Sequence, residues 1–287
     1  MKKFFRYLTT AAEDINWGIY LKTAGSLNIP PQEEYPPIEH PSGYYFTWEQ
    51  GRKLQEYQLN YITEGEGIFE NKTGTFPVKA GSLMVISPGM WHRYKPNFQS
   101  GWTENYIGFK GKAIENFMKH RLFSPEHPVI QLGEREEILD TFLKIFDLIE
   151  AEQPGFQHIA SGLIIKLLGY LVAFDKQKEF SGKPIARIIE EARFRMRSEV
   201  GRNFDIEKFA AENNVGYSWF RRMFKNYTGL SPRQYCLQLK IIRAKELLLS
   251  TDLSVKEISY ELGFESIHYF SRVFKQKTGK SPSDFRG

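Results

Sequence analysis

Two short stretches carry side chains able to bond phosphate and to read flat hydrogen-bonding edges. The first holds Ser218, Arg221, Arg222 and Lys225; the second holds His268, Ser271, Arg272 and Lys275. On an α-helix each set falls within an arc of about 100°. A guanidinium donates two parallel bonds to guanine O6 and N7, and an ammonium neutralises a phosphate. The opposite arcs are apolar, with Phe220, Met223 and Phe224 in one and Phe270, Val273 and Phe274 in the other. One basic helical face can simply meet water. Two copies, basic on the same side and seated on aromatic backs, fit a major groove better.

The elements that must position these faces are repeated too. "FKNYTGLSP" (Phe224–Pro232) returns fifty residues later as "FKQKTGKSP" (Phe274–Pro282). After a first helix over 184–199, Asp205 opens a short helix that ends near Asn213–Asn214, and a second covers Tyr217–Tyr227. Ser231 as N-cap and Pro232 at the first helical position start a long helix lasting to about Ser250. Ser254 caps another short helix that stops at Gly263, and a last one runs from Ser266 to Lys277. The pattern is a helix-turn-helix written twice, the second with one extra residue in its turn. A 19-residue connecting helix is about 28 Å long, close to the ~34 Å between successive major-groove turns on one side of DNA.

Charge follows the same division. Residues 182–287 carry 20 Lys/Arg against 12 Asp/Glu, whereas the other 181 residues carry 19 against 22. A basic third on a mildly acidic remainder suits a polyanionic partner. The single cysteine, Cys236, leaves neither a disulfide framework nor a cysteine-rich zinc site. The apolar run Gly162–Phe174 is too short for a bilayer and is interrupted by Lys166. "MKKFFRYLTTAAEDINWG" has no sustained apolar stretch, so no secretory signal is expected. These features point to a cytoplasmic protein without a membrane partner.

Residues 15–110 read mainly as β, with "GYYFTW", "YQLNYI", "GIFEN" and "SLMVIS" set between turn signals. From about Glu134 the period is helical. Ile138, Phe142, Ile145, Phe146 and Ile149 share one face, as do Leu163, Ile164, Leu167, Leu168 and Leu171. The polar "DKQKEFSGKP" (Asp175–Pro184) reads as a linker, giving domains 1–178 and 179–287.

"FDIEKFAAENNVGYSWFRRMFKNYTGLSPRQY" and "RAKELLLSTDLSVKEISYELGFESIHYFSRVFKQKTGKSPSDFR" resemble the double helix-turn-helix domain of the AraC/XylS family of bacterial transcription regulators. The resemblance covers residues 184–286. It implies a multidomain chain: an N-terminal all-β cupin-like barrel with following α-helices, then a C-terminal all-α double helix-turn-helix. It also implies a regulator rather than an enzyme, bound to double-stranded DNA, working with RNA polymerase, and commonly an activator. Carried over by residue, the base-reading positions are Ser218, Arg221 and Arg222 in the first motif and Ile267, His268 and Arg272 in the second. Ile267 departs from the polar residue many relatives place there, though it can meet a thymine methyl.

"LNYITEGEGIFENKTGTFPVKAGSLMVISPGMWHRYKP" (Leu59–Pro96) and "GWTENYIGFKG" (Gly101–Gly111) resemble the cupin-type sensing domain of sugar-responsive members. The ligand-facing positions this implies are Arg52, His92, Tyr94, Glu104 and Tyr106, and the effector a small hydroxylated molecule, a saccharide above all. No cofactor is expected. A metal cupin supplies a His-x-His pair, a Glu and a later His. Here "EYQ" (Glu56–Gln58) stands where the pair belongs, only His92 is in place, and His40, His120, His127 and His158 lack ligand spacing. A barrel that only dimerises a constitutive regulator is the other alternative. The helices at Glu134–Phe174 can cap the barrel, pair two subunits in a homodimer as in relatives, or do both.

Overall fold

Short strands rich in aromatic and β-branched residues in the N-terminal half pair into an antiparallel sheet that buries both of its faces. The computed structural model describes residues 4–36, 45–202 and 204–287, so His40, Gly43 and Tyr44 lie outside the described residues. It divides into the units Met1–Asp175 and Lys176–Gly287. The strands of the first unit are β1 (Phe4–Tyr7), β2 (Tyr20–Ile29), β3 (Arg52–Lys53), β4 (Tyr57–Asn71), β5 (Gly74–Lys79), β6 (Ser82–Ile86), β7 (Trp91–Pro96), β8 (Trp102–Lys110) and β9 (Val129–Gln131). Their order is β1-β2-β8-β4-β6-β9, with β5 and β7 on the far half of β4 and β3 on β7.

"YQLNYI" and "GIFEN" are therefore one 15-residue strand, not two. The first part of β4 pairs with β6 and β8, and its last residues pair with β5 and β7. The change of partners falls at Gly65, whose φ is +79° and whose absent Cβ would lie 2.1 Å from the Gly101 carbonyl oxygen. Only glycine tolerates that bend and that approach. "GYYFTW" gives no strand in its described part, Tyr45–Trp48; Phe46 is buried against Tyr35 and Tyr94 instead of joining a ladder.

One face of the sheet, with Leu59, Tyr61, Leu83, Val85, Ile107 and Phe109, packs on α2 (Ile114–Met118), α3 (Glu136–Ala151) and α4 (Phe156–Phe180). A short α1 (Ala12–Trp17) precedes β2. The other face encloses a second cluster, including Leu27, Ile62, Phe69, Met84, Tyr94, Trp102 and Tyr106. All the apolar positions assigned to α3 and α4 are buried, except that Leu163 is half-buried.

Two expectations about α4 need correction. The helix has 25 residues, long and apolar enough by length and composition to cross a bilayer, so the 13-residue run understated it. Its apolar residues are nonetheless used in a protein core: Ala160, Ile164, Leu167, Leu168 and Leu171 are sealed against the sheet. The segment read as a linker is mostly helix as well, since α4 continues through Phe180. Lys176, Gln177, Lys178 and Glu179 are exposed and helix-tolerant, and Phe180 is buried beside Tyr227.

Local signals determine the second unit. Its helices are α5 (Pro184–Ser198), α6 (Ile206–Glu212), α7 (Tyr217–Thr228), α8 (Pro232–Ser250), α9 (Val255–Glu261), α10 (Ile267–Thr278) and α11 (Pro282–Arg286). The repeated Thr-Gly-x-Ser-Pro proves to be a stop-and-restart module. Thr228 and Thr278 each donate a hydroxyl bond back into the helix, to Phe224 O and Phe274 O. Gly229 and Gly279 end their helices at φ +81° and +83°, left-handed values that favour glycine. Ser231 and Ser281 then cap the next helix ahead of a proline. The second copy opens α11, a helix the sequence reading did not include. Each motif has its own aromatic core, built on Phe209, Phe220 and Phe224 or on Phe264, Phe270 and Phe274.

Candidate nucleic-acid interface and ligand pocket

Helices α7 and α10 turn the same residue types outward. Phe220 and Phe224 are fully buried with Met223 half-buried, and Phe270, Val273 and Phe274 are buried, so each helix has one face left for solvent. Ser218, Arg221, Arg222 and Lys225 occupy it on α7 and are exposed. On α10, His268, Arg272 and Lys275 are exposed, while Ile267 and Ser271 are half-buried. Among the described residues no carboxylate lies within ion-pair distance of Arg221, Arg222, Lys225, Arg272 or Lys275. Their charge is left for an external anion.

The first turns of the two helices also share an opening. Tyr217 in the first turn of α7 and Tyr269 in the first turn of α10 line one cleft of about 580 Å³, with Arg202, Arg233 and Lys240. The N-terminal halves of both helices thus border the same space. Tyr269 falls between the basic and apolar arcs, so its spacing gives no signal for it; the Arg272 guanidinium lies 5.6 Å from its ring centroid.

Inside the barrel, Arg52, Tyr94, Glu104 and Tyr106 converge with Tyr7, Tyr35, Phe46 and Gln58. Strand register explains this: β3 places Arg52 opposite His92 on β7, and Glu104 and Tyr106 alternate inward on β8. Arg52 is the hub. Its Nη2 donates to the Tyr94 hydroxyl at 2.5 Å and to Gln58 Oε1 at 3.5 Å, and its Nε donates to His92 Nε2 at 3.2 Å. Its charge lies 4.9 Å from the Phe46 ring centroid and 5.3 Å from that of Tyr94. The Tyr35 hydroxyl donates to both oxygens of Glu104, at 3.2 and 3.3 Å. Free space between these groups is about 10 Å³, room for one water. Asn60, also facing inward, and the Trp102 indole N–H are buried without a well-formed hydrogen bond.

His92 is the one implied ligand residue outside this lining; it stands behind Arg52. Nδ1 lies 3.0 Å from Met90 O and donates to it, which leaves Nε2 to accept from Arg52. Burial, then Arg52, lower its pKa to about 3. The neutral ring therefore orients a guanidinium. Among the described residues no three His, Cys, Asp or Glu side chains gather as a metal cluster. Tyr7, Tyr35 and Phe46 gave no periodic signal, whereas Gln58 was visible as the non-histidine of "EYQ".

Two opposed titrations follow. Burial pushes the Glu104 carboxyl up to about 7 against the pull of Arg52 and Tyr35, so its contribution to stability falls as pH rises from about 4.5 to about 7. His92, neutral when folded but protonated below 6.5 when unfolded, contributes stability that falls as pH drops from about 6.5 towards 3. Only between about pH 4.5 and 6.5, where both act, do the two slopes offset each other. Glu104→Gln should unmask the histidine: stability should rise by about 2–3 kcal/mol from pH 4.5 to 6.5, with the wild type flat. Thermal melts across that range check it, and parallel wild-type and variant curves would contradict it.

Comparison with known proteins gives two family matches. Residues 33–168 match an AraC-like ligand binding domain and residues 209–287 a helix-turn-helix domain. Full-length relatives are distant but extensive. The lactose operon transcription activator of Staphylococcus xylosus is 24% identical, over 85% of this chain and 86% of its own. The Msm operon regulatory protein of Streptococcus mutans is 27% identical over 80% and 84%. The arabinose operon regulatory protein of Escherichia coli is 25% identical over 87% of each.

Proposed function

The chain belongs to the AraC family of DNA-binding transcription regulators and carries that family's ligand-binding domain, and from this premise we propose that it activates transcription of a saccharide-use operon in response to a saccharide. In this reading the domain over 1–178 senses ligand and dimerises, and that over 179–287 binds DNA. Ser218, Arg221, Arg222 and Lys225 enter one major groove, and Ile267, His268, Ser271, Arg272 and Lys275 the next. Arg221, Arg222 and Arg272 read bases; Lys225 and Lys275 meet phosphate. The single observation that carries the DNA half is the pair of exposed cationic faces on α7 and α10, which among the described residues have no carboxylate within ion-pair distance.

Arg52, Tyr94, Glu104 and Tyr106 form the ligand site, with His92 holding Arg52. A saccharide suits it because hydroxyls satisfy both donors and acceptors, while the faces of Tyr94 and Trp102 suit sugar C–H groups. The names of two relatives, a lactose and an arabinose operon regulator, support that class. Entry requires Tyr35 to leave Glu104, since the space is otherwise filled. Ligand then shifts an equilibrium between conformations that differ in operator affinity. The protein works in the cytoplasm as a homodimer with RNA polymerase. Exposed Leu143, Ile159 and Ile165 on α3 and α4 supply apolar surface for pairing.

Melting in the presence of mono- and disaccharides tests the ligand half. A true ligand at 100 times its Kd adds about 2.7 kcal/mol, or roughly 5–10 °C in the unit that binds it. Arg52→Met should abolish that rise. A flat panel would leave a barrel that only dimerises a constitutive regulator.

A further inference from the structure

The second unit contains a contact that neither helix-turn-helix motif requires. Helix α5 packs in the first motif's core through Ile185, Ile189, Ala192 and Met196. Two residues beyond its end, half-buried Val200 packs against the core cluster of the second motif. Gly201 follows, and its backbone meets the end of α9 at a distance that excludes any side chain. A Cβ on Gly201 would lie 2.4 Å from the Glu261 carbonyl oxygen, and one on Gly263 would lie 2.5 Å from that of Gly201. Lys240, midway along α8, closes the third side. Its ammonium donates to Gly263 O at 3.2 Å and lies 5.3 Å from the Phe264 ring centroid.

We propose that Val200, Gly201, Gly263 and Lys240 form a positioning clamp that fixes α10 relative to α7, so that the unit reads two grooves at one spacing only. This rests on the DNA-binding reading above. Without the clamp, the second motif would rest on the first chiefly through α8, and small rotations about that helix would swing α10 through the groove. With it, the loop after α5 holds the turn between α9 and α10 from the opposite side. Side chains that reach bases must be placed before binding, because ordering them afterwards costs affinity. A clamp of backbone against backbone leaves no rotamer to relax. That explains glycine at position 201, where φ does not demand one.

The test uses the full chain and a duplex selected by the wild type from a random library, remade with one base pair added or removed between its two contacted segments. Each such change rotates one segment by about 34° and should cost the wild type roughly 100-fold in affinity. Gly201→Val should bind the original duplex about tenfold more weakly and distinguish the three spacings by less than about threefold. Lys240→Met, which keeps the stem but loses the bond to Gly263, should flatten the profile in the same direction and carries the test if Gly201→Val fails to fold. If both variants keep the sharp wild-type profile, the contact is packing alone and the clamp is wrong. If the wild type selects no duplex, the DNA-binding reading fails and the clamp with it.

Discussion

Replacing Arg222 and Arg272 together by alanine is expected to weaken binding to a specific duplex by roughly 30-fold to 10⁴-fold. Each bidentate contact to a base is worth about 1–3 kcal/mol, and residues in separate motifs add almost independently. Both arginines are exposed on the faces opposite Phe220 and Phe270, so removing them leaves the cores intact. The loss should be far smaller on random DNA, because non-specific binding comes from phosphate neutralisation. Lys225→Ala supplies the contrast. It should weaken all sequences alike and lower the salt slope by about 1. Lysine in place of Arg222 or Arg272 should not restore specificity, since a point charge cannot make the paired bonds. Gel-shift titrations on selected and random duplexes measure all of this, and equal losses on both would remove direct readout from the account.

Gly65→Val is expected to destabilise the first unit by roughly 2–6 kcal/mol. One part is the cost of holding a β-branched residue at positive φ, about 1–3 kcal/mol. The other is overpacking, again about 1–3 kcal/mol, because the new Cβ would stand 2.1 Å from the Gly101 carbonyl oxygen. Since β4 pairs with β5, β6, β7 and β8, a break there disconnects both sides of the barrel. The melting transition of the first unit should move sharply down while that of the second stays in place. A change below about 1 kcal/mol would mean that the backbone at Gly65 adapts freely, contrary to the strain argument.

The second unit was readable because its signals are local. Ser231 with Pro232, Ser254, Asn214 at φ +55°, and the paired Gly229 and Gly279 each end or begin a helix within four residues of themselves. The long-range clamp at Gly201 left no trace of that kind. In the first unit, β2 lies inside the stretch read as β, but its bounds were not legible. Its sequence "YLKTAGSLNI" lacks alternation because the strand is buried on both faces along most of its length, and it lies between β1 and β8. The segment read as a linker does hold the division between the units, at Asp175–Lys176, but it is helical there, because polar residues that suit a loop also suit the exposed face of a helix end.

The candidate ligand pocket was legible only in part. Arg52, Tyr94, Glu104 and Tyr106 came from resemblance, and the fold brings them together. Nothing in the spacing could place Tyr35 against Glu104, 69 residues away, or insert Phe46 beside Arg52. His92 reads from sequence as a pocket residue, yet its Nε2 is already occupied by Arg52 and its role is to aim that group.

The central claim is that α7 and α10 enter successive major grooves on one side of the double helix, and guanine methylation interference on the selected duplex tests it most directly. The account predicts two clusters of interfering N7 positions, about 10–10.5 base pairs apart per bound chain, with Arg272→Ala erasing one cluster and Arg222→Ala the other. A single cluster, or two set half a turn apart on opposite sides, would contradict it.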